Sequence, residues 1–175
     1  MNPLTPTSAS ASGTEYRETI VGVADIKMAT GASWIITTYA LGSCLGITLY
    51  DPVKRVGGML HAMLPDSKLH QSQGATKIAM FLDSGMNELL LQLRKAGVNE
   101  RGLECKVFGG SQVMSADKFF RIGDRNIETF KALSQSLGLR VSVWEVGGHV
   151  NRTIKFYLES GQVSVRTPNQ PLFWK

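Results

Sequence analysis

Cysteine and histidine are scarce: the 175 residues hold two cysteines, Cys44 and Cys105, and three histidines, His61, His70 and His149. Two lone thiols cannot staple a disulfide scaffold, and without C-x-x-C spacing they cannot supply a zinc tetrad. Reduced thiols in a cytoplasmic protein are therefore expected. Apolar runs are short as well, with none of the roughly 18 residues a membrane span requires, so no membrane insertion is expected. Met1 to Thr14 lacks both charge and an apolar stretch, and its Ser, Thr, Ala and Pro content predicts a flexible tail over residues 1–15, not a signal peptide. Neither G-x-x-x-x-G-K-[ST] nor G-x-G-x-x-G follows a strand, which argues against phosphate chemistry.

What is present suits one folded domain over residues 16–175. Apolar residues make up 43% and charged residues 19%, enough for a real core without a strongly solvated surface. The net charge of +5 is uneven: residues 1–93 carry six basic and seven acidic side chains, residues 94–175 thirteen and seven. The basic residues come at most in pairs, interleaved with acids and lacking aromatic alternation, so nucleic acid is not an expected partner. An acidic protein surface suits this second half better.

Periodicity predicts strands at Thr19 to Val23, Trp34 to Thr38, Leu45 to Tyr50, Val56 to Leu64 and Leu103 to Val107, with a turn at Met28 to Ala32. Three more close the chain, at Arg140 to Val146, Thr153 to Leu158 and Gln162 to Thr167, with a tight hairpin at Ser160-Gly161. Apolar spacing of three and four predicts a helix from Gly74 to Gly97, burying Ile78 and Phe81 among others, and a second from near Asp124 to Gly138. Two helices can cover only one face of so many strands. An α+β fold follows, in which two sheets pack together with helices on one side.

Cys105 alternates in phase with Leu103 and Val107 and is expected in the core. Cys44 sits at a glycine-flanked break, Leu41-Gly-Ser-Cys-Leu-Gly46, where a thiol can be reached and the amides of Ser43 and Cys44 can receive an oxyanion. A thiol with a pKa of about 8.5 needs a partner to become a nucleophile near neutrality. His70 lies in a polar loop and His149 follows Gly147-Gly148, positions that suit exposed residues. His61 shares a strand face with Met59 and Met63, and the Asp51 to Arg55 turn makes its strand a hairpin neighbour of the strand after Cys44. An imidazole so placed needs a third group on its other nitrogen. Thr38, six residues before Cys44, qualifies if the chain bends between them, for which Gly42 is the expected site. No metal and no cofactor are expected, since Cys44, His61 and His149 lack ligand spacing.

Thr38-Tyr-Ala-Leu-Gly-Ser-Cys44, Tyr50-Asp-Pro52, Gly57-Gly-Met-Leu-His-Ala-Met-Leu-Pro65, Val107-Phe-Gly-Gly-Ser111, Ile122-Gly-Asp-Arg-Asn-Ile127 and Val146-Gly-Gly148, in this order, resemble the CheD family of chemoreceptor glutamine deamidases. The resemblance runs from about Ile20 to Arg166. It implies a layered α/β/β sandwich related to toxin deamidase domains, with Cys44 as nucleophile, His61 as base and acid, and Thr38 orienting the imidazole. Gly42 and Ser43 would then line the oxyanion and substrate site. The implied reaction converts glutamine side chains of methyl-accepting chemotaxis receptors to glutamate, releasing ammonia, with hydrolysis of receptor methyl esters as a further implied activity. The implied partners are those receptors and a CheC-type phosphatase, the protein itself being a monomer when alone. A non-catalytic adaptor that binds receptor or phosphatase is the competing reading. Two positions depart from the family's common pattern: Leu60 where Asn is frequent, and Asn151-Arg-Thr-Ile154 where Gly-Arg-Lys is frequent. The first bears on the pocket and the second on a loop near substrate or partner.

Overall fold

A computed structural model describes residues 15–70, 77–112 and 121–175. The expected tail therefore lies outside the described residues, apart from Glu15. Ten strands form two five-stranded sheets. The first has the order β1 (Arg17–Ile20), β3 (Trp34–Leu41), β8 (Arg152–Tyr157), β9 (Val163–Arg166) and β10 (Phe173–Trp174). The second has the order β2 (Asp25–Thr30), β5 (Val56–Ala62), β4 (Leu45–Asp51), β6 (Glu104–Gly109) and β7 (Val141–Val146). Among these strand pairs β1–β3 and β6–β7 are parallel and the rest antiparallel, and an isolated parallel bridge joins Leu64 and Phe81.

The helices are α1 (Leu82–Lys95) and α2 (Ile122–Ser136). Burial explains the layering. Every residue of β4 and β5 is buried, so both faces of the second sheet are covered. One face carries Leu45, Ile47, Leu49, Leu60 and Val107 into a core shared with Met86, Leu89 and Leu93 of α1 and Phe130 of α2. The other carries Tyr50, Met59 and Phe108 into a core shared with Ile36, Ile154, Phe156 and Val165 of the first sheet. Alternation along β5 thus sends Leu60 toward the helices and Met59 and His61 toward the first sheet.

Three expectations are corrected, and one further strand was not expected. The first strand ends at Ile20, and Asp25 to Thr30 form β2, so the reverse turn falls at Gly31, whose φ is +102°, after Met28 and Ala29 have already paired with β5. Helix α1 begins at Leu82, because Lys77 and Phe81 are extended and a separate short turn occupies Ile78–Met80, leaving Ile78 exposed. The β8–β9 connection spans residues 158–162 and is not a tight two-residue turn. Two-residue β10 goes unpredicted because so short an edge strand carries no periodicity. Gly97 and Gly138, at φ +79° and +65°, do end the two helices.

Candidate active site

The β4–β5 hairpin places the histidine. Asp51 closes its turn by accepting from the backbone N–H groups of Val53 and Lys54 at 2.9 and 3.0 Å, a side-chain mimic of a backbone turn. The register runs from Asp51 opposite Val56 to Gly46 opposite His61. Cys44 lies two residues before Gly46, just off the end of β4, where it is half-buried against the inter-sheet core that His61 faces. Leu60 points the other way and packs against α1, so its departure from the family pattern leaves the His61 side of the strand unchanged.

His61 is only 1% exposed. Its Nδ1 lies 2.8 Å from Thr38 Oγ1, and that same hydroxyl lies 2.7 Å from the Val21 carbonyl, to which it donates. A hydroxyl has one proton. With that proton committed to Val21, Thr38 can only accept from His61, so the hydrogen-bond network assigns the proton to Nδ1 and leaves Nε2 with a free lone pair. Nε2 is buried and has no hydrogen-bond partner among the described residues. Burial pushes the imidazole pKa down to about 4, against an upward pull from Asp25, which sits opposite His61 on β2. The ring is therefore neutral near pH 7.

Between Thr38 and Cys44 the chain turns in two steps, one within β3 and one at the expected Gly42, where a bend runs through residues 42–44. The β3–β8 register shifts between Thr38 and Leu41, and Ala40 within that stretch has φ +53°. Beyond it, three successive carbonyls are tied down: Gly42 O accepts from Ser111 N–H at 2.8 Å, Ser43 O from Asn126 Nδ2 at 2.9 Å and Cys44 O from Gly110 N–H at 2.8 Å. A trans peptide directs its N–H opposite to its C=O, so the amides of Ser43 and Cys44 turn away from these anchors. Neither is taken up by a carbonyl among the described residues. Close approach here depends on Gly109, where a Cβ would stand 2.2 Å from Cys44 O. Burial pushes the Cys44 thiol up, and its own N–H partly opposes that shift.

Three buried polar residues that hold the cysteine turn were not singled out from the sequence. Asn126 and Ser111 are fully buried, and Arg152 nearly so. Arg152 donates to Ser111 Oγ at 2.7 Å and to Gly147 O at 3.0 Å, and the Ser111 hydroxyl donates to Val150 O at 2.7 Å. These bonds brace the Gly110–Ser111 segment that holds the cysteine turn. The signals were present as the Gly-Gly-Ser and Ile-Gly-Asp-Arg-Asn blocks, but nothing local says what they touch. His149 is exposed, 3.3 Å from Gln112 O, and His70 ends the short turn Ser67–His70. Among the described residues no three His, Cys, Asp or Glu side chains are grouped as metal ligands.

The chain matches the family described as CheD chemotactic sensory transduction over residues 63–167. It is 43% identical over 155 residues to a probable chemoreceptor glutamine deamidase CheD of Desulforamulus reducens, covering 87% of this chain and 92% of that one. Its identity to the probable chemoreceptor glutamine deamidase CheD of Pyrococcus abyssi is 41%, covering 86% and 91%. Against the chemoreceptor glutamine deamidase CheD of Halalkalibacterium halodurans it is 39%, covering 86% and 93%. The family match begins just after His61, whereas the relatives align over most of the chain. With identity above a third sustained over nearly the full length of these proteins, the chain belongs to the CheD family.

Proposed function

We propose that this protein is a chemoreceptor glutamine deamidase that works through a Cys44 thioester, within the α/β/β sandwich of the cysteine deamidases. The observation that carries the reading is the Val21 carbonyl–Thr38–His61 relay, which leaves a proton-accepting Nε2 on the strand paired with the Cys44 end of β4. With the thiol pushed up and the imidazole pushed down, the resting pair is neutral, so proton transfer accompanies attack. Nε2 takes the thiol proton as Sγ bonds to the glutamine carboxamide carbon. The oxygen of the tetrahedral intermediate lies toward the Ser43 and Cys44 amides, beside Gly42. On collapse the imidazolium returns its proton to the departing nitrogen, and ammonia leaves an S-acyl enzyme. Nε2 then deprotonates a water that attacks the thioester carbon. The C–S bond breaks, the thiol recovers its proton, and the side chain leaves as glutamate.

The same acyl-enzyme forms from a methyl ester with methanol as the leaving group, which extends the reading to receptor methylesterase activity. The basic second half suits the acidic surface of a receptor's cytoplasmic region, and the family supports a CheC-type phosphatase as a second partner of a monomeric protein. Intact-mass analysis of a receptor cytoplasmic fragment tests the reaction: a gain of about one dalton per site, the difference between amide and acid, with matching ammonia release, is expected. An unchanged receptor mass with folded protein overturns the reading. If a Cys44→Ser strain still signals normally, the adaptor role takes its place.

A further inference from the structure

We propose that Asn126 is a positioning residue that clamps the nucleophile turn to the strand carrying the base. The proposal rests on the Cys44–His61 reading above and adds a residue to it. Asn126 occupies a face of α2 that otherwise buries Ile127 and Phe130, where an apolar residue would pack without desolvation cost. Its carboxamide instead divides its two N–H donors between two segments. One goes to Ser43 O at 2.9 Å, the carbonyl immediately before Cys44. The other goes to Met63 O at 3.1 Å, two residues beyond His61. One rigid planar group thereby sets the spacing between the segment that presents the thiol and the segment that presents the imidazole.

Its orientation is determined by the same contacts. Rotating the amide by half a turn would face Oδ1 toward two carbonyl oxygens, and in the observed orientation Oδ1 is buried with no partner among the described residues, so both acceptors are served at the expense of one. The helix is brought close enough by Gly123, one turn earlier, where a Cβ would stand 2.5 Å from Gly110 O. Gly110 and Ser111 hold the flanking carbonyls of Cys44 and Gly42 with backbone amides. Asn126 is the side chain that completes the set, and of these three groups it is the one that also reaches the residue just past the histidine strand.

Chloroacetamide reads the site without a receptor. The Cys44 sulfur displaces chloride from the methylene carbon and the thiol proton passes to His61 Nε2, so the rate near neutrality reports assistance by the imidazole. In Asn126→Asp, which keeps the volume but replaces both donors with acceptors, alkylation at neutral pH is expected to slow at least about tenfold. Its pH profile should move to that of an unassisted thiol, as in His61→Gln. Receptor deamidation should lose kcat by a similar factor with KM unchanged within about twofold. Phe130→Leu, which loosens the same helix without touching the turn, should lower Tm and leave the profile in place. If Asn126→Asp does not fold, Asn126→Ser removes the paired donors without adding charge and takes the same measurements. Wild-type rate and profile in a folded Asn126 variant, or equal losses in Phe130→Leu at matched Tm, overturn the clamp. Conversion of receptor by Cys44→Ala would overturn the thioester reading while leaving the chloroacetamide test of the clamp intact.

Discussion

The two ends of β4 offer one sulfur each, and they are chemically opposite. At one end Cys105, opposite Leu49 on β6, points into the helix-facing core with no exposed surface. Its burial pushes the thiol up to about 12. At the other end Cys44 stands off the strand, half-buried, with its own amide turned to the sulfur and with His61 opposite Gly46. Both thiols are raised by desolvation. The difference is that only one has a neutral nitrogen base on the neighbouring strand, on the same sheet face. In the mechanism proposed above, Cys44 becomes a nucleophile through its partner and not through a low resting pKa.

Substitutions can break or sharpen this contrast. The largest effect is expected from Cys44→Ala, which should cut receptor deamidation by about 10³-fold or more, read by intact mass and ammonia release. Cys105→Ala should leave kcat within about threefold, and equal losses in the two variants would erase the distinction. Next comes acid. With a folded pKa of about 4 against 6.5 for the free side chain, the unfolded chain binds a proton at His61 that the folded chain does not. Stability should therefore fall as pH drops from about 6.5 to about 4, by about 3 kcal/mol from this group. Urea unfolding across that range should show the slope in wild type and its flattening in His61→Gln.

Thr38→Val should follow, removing the acceptor for Nδ1–H while conserving shape and lowering kcat about 10- to 100-fold, with Thr38→Ser restoring most of it. A Thr38→Val enzyme with wild-type kcat would show that the imidazole needs no third group. The smallest effect belongs to Cys105→Ala as a packing change, about 1 kcal/mol by denaturant midpoint.

That the segments carrying Cys44 and His61 are neighbours was readable along the chain because a hairpin is local. The Asp51 to Arg55 turn fixes which strands are neighbours, and alternation says that Met59 and His61 share a face. Thr38 was reachable by chemistry and the bend at Gly42 by its glycine, but nothing in Tyr39-Ala40 announces a residue at positive φ. The clamp residues were visible only as blocks without a purpose. Asn126 meets Ser43 across 83 positions and Arg152 meets Ser111 across 41, contacts that exist only after both sheets and α2 have assembled. Strand β2 was missed although Asp25-Ile-Lys-Met28 alternates polar and apolar, with Ile26 and Met28 packed against the helix-side core, because the turn-prone Met28 to Ala32 stretch was read as starting three residues before the positive φ at Gly31.

The hairpin register has a consequence for how this sequence can diverge. Opposed pairs in β4 and β5 are counted outward from the turn, so a one-residue insertion or deletion there shifts every partner by one. His61 would exchange places with a neighbour, delivering an imidazole to the oily layer under α1 and, to the cysteine side, Leu60 after an insertion or Ala62 after a deletion. Substitutions at exposed Pro52, Val53, Lys54 and Arg55 leave that count unchanged. The turn is thus free to drift in composition and held in length, a parity constraint imposed from a distance by chemistry at the far end of the strands.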